Sequence, residues 1–161
     1  MNLAFASKAP ATTRAALEAL LYFNPRQHRV RAGIINSLAQ FGHPRLEEIP
    51  GGITIRVGAH SPQTLFAFDP ARPDGAPVGV VVFLRTSAAE VAILHLAVHP
   101  DYALKKSSEG QGLGLILIEK VKEIATRVVG VETVTFFYRR EVVIRLPKQD
   151  GTSATATGQS P

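Results

Sequence analysis

Cysteine is absent from all 161 residues, which excludes disulfides, thiolate zinc sites and cysteine nucleophiles. The absence suits a reducing cytoplasm, the expected location, without requiring it. No apolar run approaches the roughly 20 residues that a membrane-spanning helix needs, so no membrane association is expected. The first 17 residues hold no acid, and no uninterrupted apolar core lies between Lys8 and Arg14. A secretory signal is therefore not expected, while a transit peptide stays open. No serine sits in a Gly-x-Ser-x-Gly elbow. His28, His43 and His60 lack ligand spacing, so no metal site is expected. Internal repeats are absent as well.

What is present describes an ordinary globular chain: 45% apolar residues against 19% charged. One domain over residues 1–150 is expected, with a disordered tail over 151–161, where no large apolar residue occurs. The net charge of +5 favours anionic partners without choosing among them. Arg26, His28, Arg29 and Arg31 cluster, as do Lys105 with Lys106 and Arg139 with Arg140. A nucleic-acid footprint would interleave such bases with exposed aromatics. Only Tyr22 and Phe23 lie near the first cluster, and both fit a helical apolar pattern. A solvated basic face is the simpler reading, and nucleic acid is not the expected partner; steep salt dependence of retention would mark the opposite.

Thr12 or Thr13 can cap a helix to about Phe23, with Ala16, Leu17, Leu20 and Leu21 as its apolar stripe. A second helix is expected over Gln27–Phe41, stopped by Gly42 and Pro44. From Ile53 to Val57 the period changes to two, the mark of a half-buried strand. Leu65–Phe68 reads as another strand, closed by the turn-rich Asp69–Gly75. Val78–Leu84 suits a central strand covered on both faces, and Thr86–Ala89 turns it into Val91–Val98. Leu113–Val129 has the strongest helical period in the chain. Val131–Tyr138 and Glu141–Leu146 are strand-like, with almost nothing between them. This order predicts an α+β fold in which helices pack on a mixed sheet.

The chemistry concentrates between the last long strand and the long helix. A phosphate-binding loop of the nucleoside-triphosphate type needs Gly-Lys-Ser/Thr opening the helix, but Gly114 is followed by Leu115 and Ile116. A dinucleotide fingerprint fits Gly110 and Gly112 but finds Leu115 at its third glycine. Still, glycines at 110, 112 and 114 let backbone amides close on a pyrophosphate at a helix N-terminus.

Leu96-Ala97-Val98-His99-Pro100-Asp101-Tyr102, followed by Glu109-Gly110-Gln111-Gly112-Leu113-Gly114, resembles the acetyl-CoA-binding core of the GCN5-related N-acetyltransferase (GNAT) superfamily. There a strand Leu-x-Val-x-Pro-x-Tyr leads to a loop (Arg/Gln)-x-x-Gly-x-(Gly/Ala) heading a helix. The resemblance spans about residues 78–138 and implies the acyl-CoA N-acyltransferase fold, a mixed, largely antiparallel sheet flanked by helices. It implies acetyl-CoA as co-substrate and an amine acceptor, small molecule or protein. It assigns cofactor contacts to Leu96, Ala97, Val98, Glu109, Gly110, Gln111, Gly112, Leu113, Gly114 and Leu115. It also implies a β-bulge after the strand ending near Val98, which exposes main chain to the pantetheine arm.

Three departures accompany it. The usually basic or Gln position is Glu109, and six residues (Ala103–Ser108) separate it from Tyr102, among them Lys105 and Lys106. The helix that follows the fifth strand in the family, bearing Asn and Tyr, has no room here. A homodimer is a candidate way to complete the site, because a missing helix leaves apolar surface uncovered.

For catalysis, Tyr138 is the candidate acid for the departing thiolate. Glu90 is the candidate base, with a hairpin-edge charge as its plain alternative. By simple alternation Glu90 shares a face with Ala92, Leu96 and Val98, while His95 points the other way with Ala97 and reads as a core histidine. His99, ahead of Pro100, shapes the turn. A backbone N–H near Val98 is the expected oxyanion donor. The expectation is an acetyl-CoA-dependent N-acetyltransferase; the alternative is a catalytically inactive CoA-binding or protein-interaction module of the same fold.

Overall fold

Strand and helix follow the two periods of the sequence. In the structure, a computed structural model that describes residues 2–22, 31–105, 110–136 and 142–148, eight strands and four helices are arranged around one sheet and one hairpin. In chain order they are β1 (Ala4–Ala6), α1 (Arg14–Tyr22), α2 (Arg31–Phe41), β2 (Pro44–Ile49), β3 (Gly52–Val57), β4 (Gln63–Phe68), β5 (Pro77–Arg85) and β6 (Glu90–Val98). There follow α3 (Pro100–Ala103), α4 (Leu113–Thr126), β7 (Thr133–Phe136) and β8 (Val142–Arg145). The main sheet runs β1-β4-β5-β6-β7-β8, and β2 pairs with β3 apart from it. Every neighbouring pair is antiparallel except β6–β7. This is the mixed, largely antiparallel sheet flanked by helices that the acyltransferase resemblance implied.

β5 is buried along seven successive residues because both its faces are covered. One face carries Phe66, Val80, Val82 and Ala92, packed under Leu17, Leu20 and Leu21 of α1 and under Ile53, Ile55 and Val57 of β3. The other carries Val81, Phe83, Val91 and Ile93, packed under Leu113, Leu117, Val121 and Ala125 of α4. Each fully buried leucine or isoleucine in these layers contributes about 1.5–3 kcal/mol of burial free energy. The end of α2 crosses the end of β3 so closely that a Cβ on Gly42 would lie 2.8 Å from Gly58 Cα, so this crossing takes glycine on both chains.

Several boundaries differ from the pattern. Thr13 does not cap α1: its hydroxyl donates to the Pro10 carbonyl inside a 3₁₀ turn over Ala11–Thr13, and the helix starts at Arg14. α4 ends at Thr126, not Val129, which is 82% exposed beyond it. β1 and β2 carry no clear alternation, β1 because three residues are too few and β2 because Arg45, Glu47 and Glu48 break the apolar series. The second helix is described from Arg31 onward. Residues 151–161, the expected tail, lie outside the described residues, as do Arg26, His28 and Arg29. Between β7 and β8 only residues 137–141 intervene, and Phe136 pairs with Val142. The two strands pair antiparallel across residues 137–141, which lie outside the described residues.

Candidate functional site

The β5–β6 ladder contains one residue too many on β6. Val82 pairs with His95, yet the next residue, Phe83, pairs with Ile93, so Leu94 is the extra residue of a β-bulge. The bulge resets the side-chain alternation. Before it, Val91 and Ile93 face α4; after it, Leu96 does so with Val98, while Ala92, Leu94 and Ala97 face α1 and α2. The alternation expected for Glu90 is thereby corrected: it has the parity of Ala92 but is on the opposite face from Leu96 and Val98. The bulge lies within β6, not after Val98.

Parallel pairing with β7 joins Glu90–Ile93 to Thr133–Phe136, and Phe136 is the last described residue of that strand. We call the region where the described part of β7 ends beside the bulge the fork.

α4 points its N-terminus at this fork. Gly112 is its N-cap, in ordinary extended geometry (φ −76°), with no side-chain cap and no acid in the first turn. That end carries the positive pole of the helix dipole. Among the described residues nothing lies within 4 Å of a Cβ placed on Gly112, so their packing does not demand glycine there. The space suits a ligand that must approach the backbone closely. Gly110, by contrast, takes φ +79°, where glycine is favoured on conformational grounds. A Cβ on Gly114 would touch Leu96 and Val98 at 3.8 Å, and one on Gly79 would crowd Leu117 and Leu113 at 3.0–3.1 Å. Gly79 thus lets α4 settle onto the sheet beside Val98. The backbone N–H of Leu115 bonds back to Gly112 C=O (3.0 Å), so Leu115 offers its half-exposed side chain but no free amide. The Leu113 side chain is core, and only its backbone belongs to the loop. Gln111 lies between Gly110 and the cap, and Glu109 falls outside the described residues. Together, the open space at Gly112 and the uncapped helix end beside β6 fit the phosphates of a pyrophosphate ligand.

The turn after β6 is pinned from below. His99 caps α3, its Nδ1 accepting from the Asp101 N–H at 3.3 Å. Tyr102 is buried and donates its hydroxyl to Asp69 of the β4–β5 turn at 2.5 Å. That hydrogen bond lowers the Asp69 carboxyl and raises the Tyr102 phenol relative to their ordinary values. Lys105 Nζ stands 4.2 Å over the Tyr102 ring. Lys106 is outside the described residues.

The candidate acid–base groups are dispersed. Glu90 accepts from the Thr86 hydroxyl within the β5–β6 hairpin, four residues and about 13 Å of strand before the bulge. His95 is at the bulge and buried, and burial holds its imidazole down at about 4, so it is neutral at pH 7. With Leu94 it borders a small cavity of about 10 Å³ under α2, also lined by Ile34, Ser37 and Leu38. Tyr138 falls outside the described residues. Among the described residues no group of three or more His, Asp or Glu is placed to hold a metal, and no helix is long and apolar enough to cross a membrane.

Two residues at the fork have no counterpart in the sequence reading. Ser37 of α2 donates its hydroxyl to the Leu94 carbonyl at 2.9 Å, both groups buried. Thr135 of β7, paired with Ala92, is 3% exposed, and its hydroxyl has no hydrogen-bond partner among the described residues. Ser37 had a faint signal, as a hydroxyl among Ile34, Leu38 and Phe41 at helical spacing; Thr135 in a strand had none.

No family model matches the chain, and no curated protein matches it by sequence. Among solved structures, it is similar to Arabidopsis thaliana NAA60 in complex with acetyl-CoA. That match has 15% identity and a TM-score of 0.46, over 84% of this chain and 74% of that one. It is also similar to a Desulfovibrio desulfuricans protein assigned to the GNAT acetyltransferases. Here identity is 16% and the TM-score 0.44, over 84% and 72% of the two chains.

Proposed function

We propose that this protein is a divergent GNAT-like acetyltransferase that takes acetyl-CoA and passes its acetyl group to an amine. One observation carries the reading: the uncapped, glycine-lined start of α4 lies beside Leu96 and Val98 of β6, just past the β-bulge at Leu94. The backbone of Gly110–Gly114 would hold the pyrophosphate, and the β6 main chain past the bulge would border the pantetheine arm. Bound acetyl-CoA would supply the activated thioester carbonyl.

The chain's own part is to orient that carbonyl and to move protons. Of the two acid–base side chains on β6, His95 is at the bulge; the burial that keeps it neutral also opposes its protonation, and its ring borders the cavity under α2. Glu90 would have to act from the hairpin, through solvent. Tyr138, in the short β7–β8 connection, is the proposed acid for the thiolate. The proposed acceptor is a small-molecule or protein amine, the setting cytoplasmic, and a second copy of the chain is a candidate neighbour for β8, where Val143 is 51% exposed at the sheet edge.

Calorimetric titration with acetyl-CoA, CoA and NAD, followed by thiol release with a panel of amines, tests this. Binding selective for the CoA species with amine-dependent thiol release is expected. Selective binding without thiol release would leave a CoA-binding module. No binding would remove the reading.

A further inference from the structure

The geometry points to Ser37 as a positioning residue for the cofactor groove: from α2, its hydroxyl fixes the bulge that sets which residues of β6 lie beneath the start of α4. This inference rests on the cofactor reading above.

The bulge needs an anchor because the strand itself supplies none. Val91-Ala92-Ile93-Leu94 and Leu96-Ala97-Val98 are apolar throughout, and both faces of β6 are buried, so side-chain chemistry accepts either phase. Side chains alternate with period two, so losing the extra residue at 94 or moving it past 96 would exchange faces for the residues between. Leu96 and Val98 would then turn toward α1 and α2, and Ala97 would replace them under Gly114. The placing of Gly114 beside Leu96 and Val98, where an added Cβ would meet both at 3.8 Å, exists only in the observed phase.

Ser37 supplies the anchor from 57 residues away, at 2.9 Å, on the carbonyl of the extra residue itself. A helical serine commonly returns its hydroxyl to a carbonyl one turn back in its own helix. Here the hydroxyl goes to β6 instead, and Ser37 is 5% exposed. The peptide is planar, so holding the Leu94 carbonyl toward α2 also fixes the direction of the His95 N–H. At its C-terminal end α2 is also held by buried Phe41, whereas Ile35 is 52% exposed and Ile34 and Leu38 are half-buried around Ser37. The bond therefore joins the seating of α2 to the shape of the fork.

Ser37→Ala, Ser37→Thr and, as a control for general destabilisation, Leu20→Ala of the same core layer are titrated with CoA. Amide exchange across Leu94–Leu96 is followed without ligand. Ser37→Ala is expected to weaken CoA binding about tenfold while still folding cooperatively, and to speed exchange at the bulge. Ser37→Thr, which keeps the hydroxyl, restores both; Leu20→Ala lowers stability and moves neither. Unchanged CoA affinity and exchange in Ser37→Ala, or an equal loss in Leu20→Ala, overturns the role. Should Ser37→Ala fail to fold, Ser37→Cys, similar in size and a weaker donor, is judged by the same criteria. If the unmutated chain binds no CoA, the cofactor reading fails, and the exchange comparison alone decides whether Ser37 holds the bulge.

Discussion

The two halves of β6 are made of the same kind of residue and do different things. Glu90–Ile93 is paired on both sides, to β5 and to β7, and behaves as sheet interior. Leu94–Val98 keeps β5 and lies past the last described pair with β7, and α4 brings its N-terminus to that half. Composition does not separate them, since apolar residues dominate both. What separates them is one extra residue, Leu94, and the helix start that lies beside the second half. A β-bulge is thus a local change of register held in place by packing on either side.

The largest expected effect falls on the open half. Gly112→Glu places a carboxylate in the space at the helix N-terminus, and we expect CoA binding to vanish in calorimetry with the far-UV spectrum and unfolding midpoint retained. Unchanged binding in a folded variant would disconnect the glycine loop from the fork.

Next is the support beneath it. Leu117 is fully buried and lies against Gly79, so Leu117→Ala should cost about 2–5 kcal/mol in urea unfolding. A much smaller loss would mean that α4 is not seated on the sheet as described.

His95 tests the boundary between the halves. Its folded value of about 4 is depressed from 6.5, so the unfolded chain binds the proton first. The stability due to its neutral form is complete above pH 6.5 and is lost as pH falls toward 4, about 2 kcal/mol of it between pH 7 and 5. His95→Leu should flatten that part of the urea-midpoint profile. Asp74, held at about 2 by its Arg72 partner, titrates below the window. A profile as steep in the variant as in the unmutated chain would place His95 in solvent.

The smallest effect belongs to the closed half. Glu90→Gln loses only a charge-assisted contact with Thr86 at the hairpin, and stability should change by less than about 1 kcal/mol. CoA binding should not change. Lost acetyl transfer with intact binding would bring base chemistry into the paired half after all.

Much of this was legible locally. Leu113, Leu117, Val121 and Ile124 repeat at helical spacing, and α4 follows them, stopping short of Val129 because Thr126 is the last helical residue. Val78–Leu84 predicts a doubly covered strand, and β5 is one. The five residues between Phe136 and Val142 leave no room for a helix of ordinary length, as the sequence reading expects. The site was legible as a loop but not as a fork. Glu90 was assigned a face with Leu96 and Val98 by a period that holds only in an unbulged strand, whereas His95, past the bulge, does lie opposite them as a buried histidine, and Ser37 and Thr135 carry no motif.

The sequence by itself determined what neighbouring residues can settle: the period of α4, the apolar central strands, the glycines at 110, 112 and 114, and the short spacing between β7 and β8. Only the tertiary structure decided where β6 carries its extra residue and which helix start lies beside it. An apolar strand buried on both faces has no phase of its own. Its register is fixed by contacts from distant elements, here the Ser37 hydroxyl on one face and the first turn of α4 on the other.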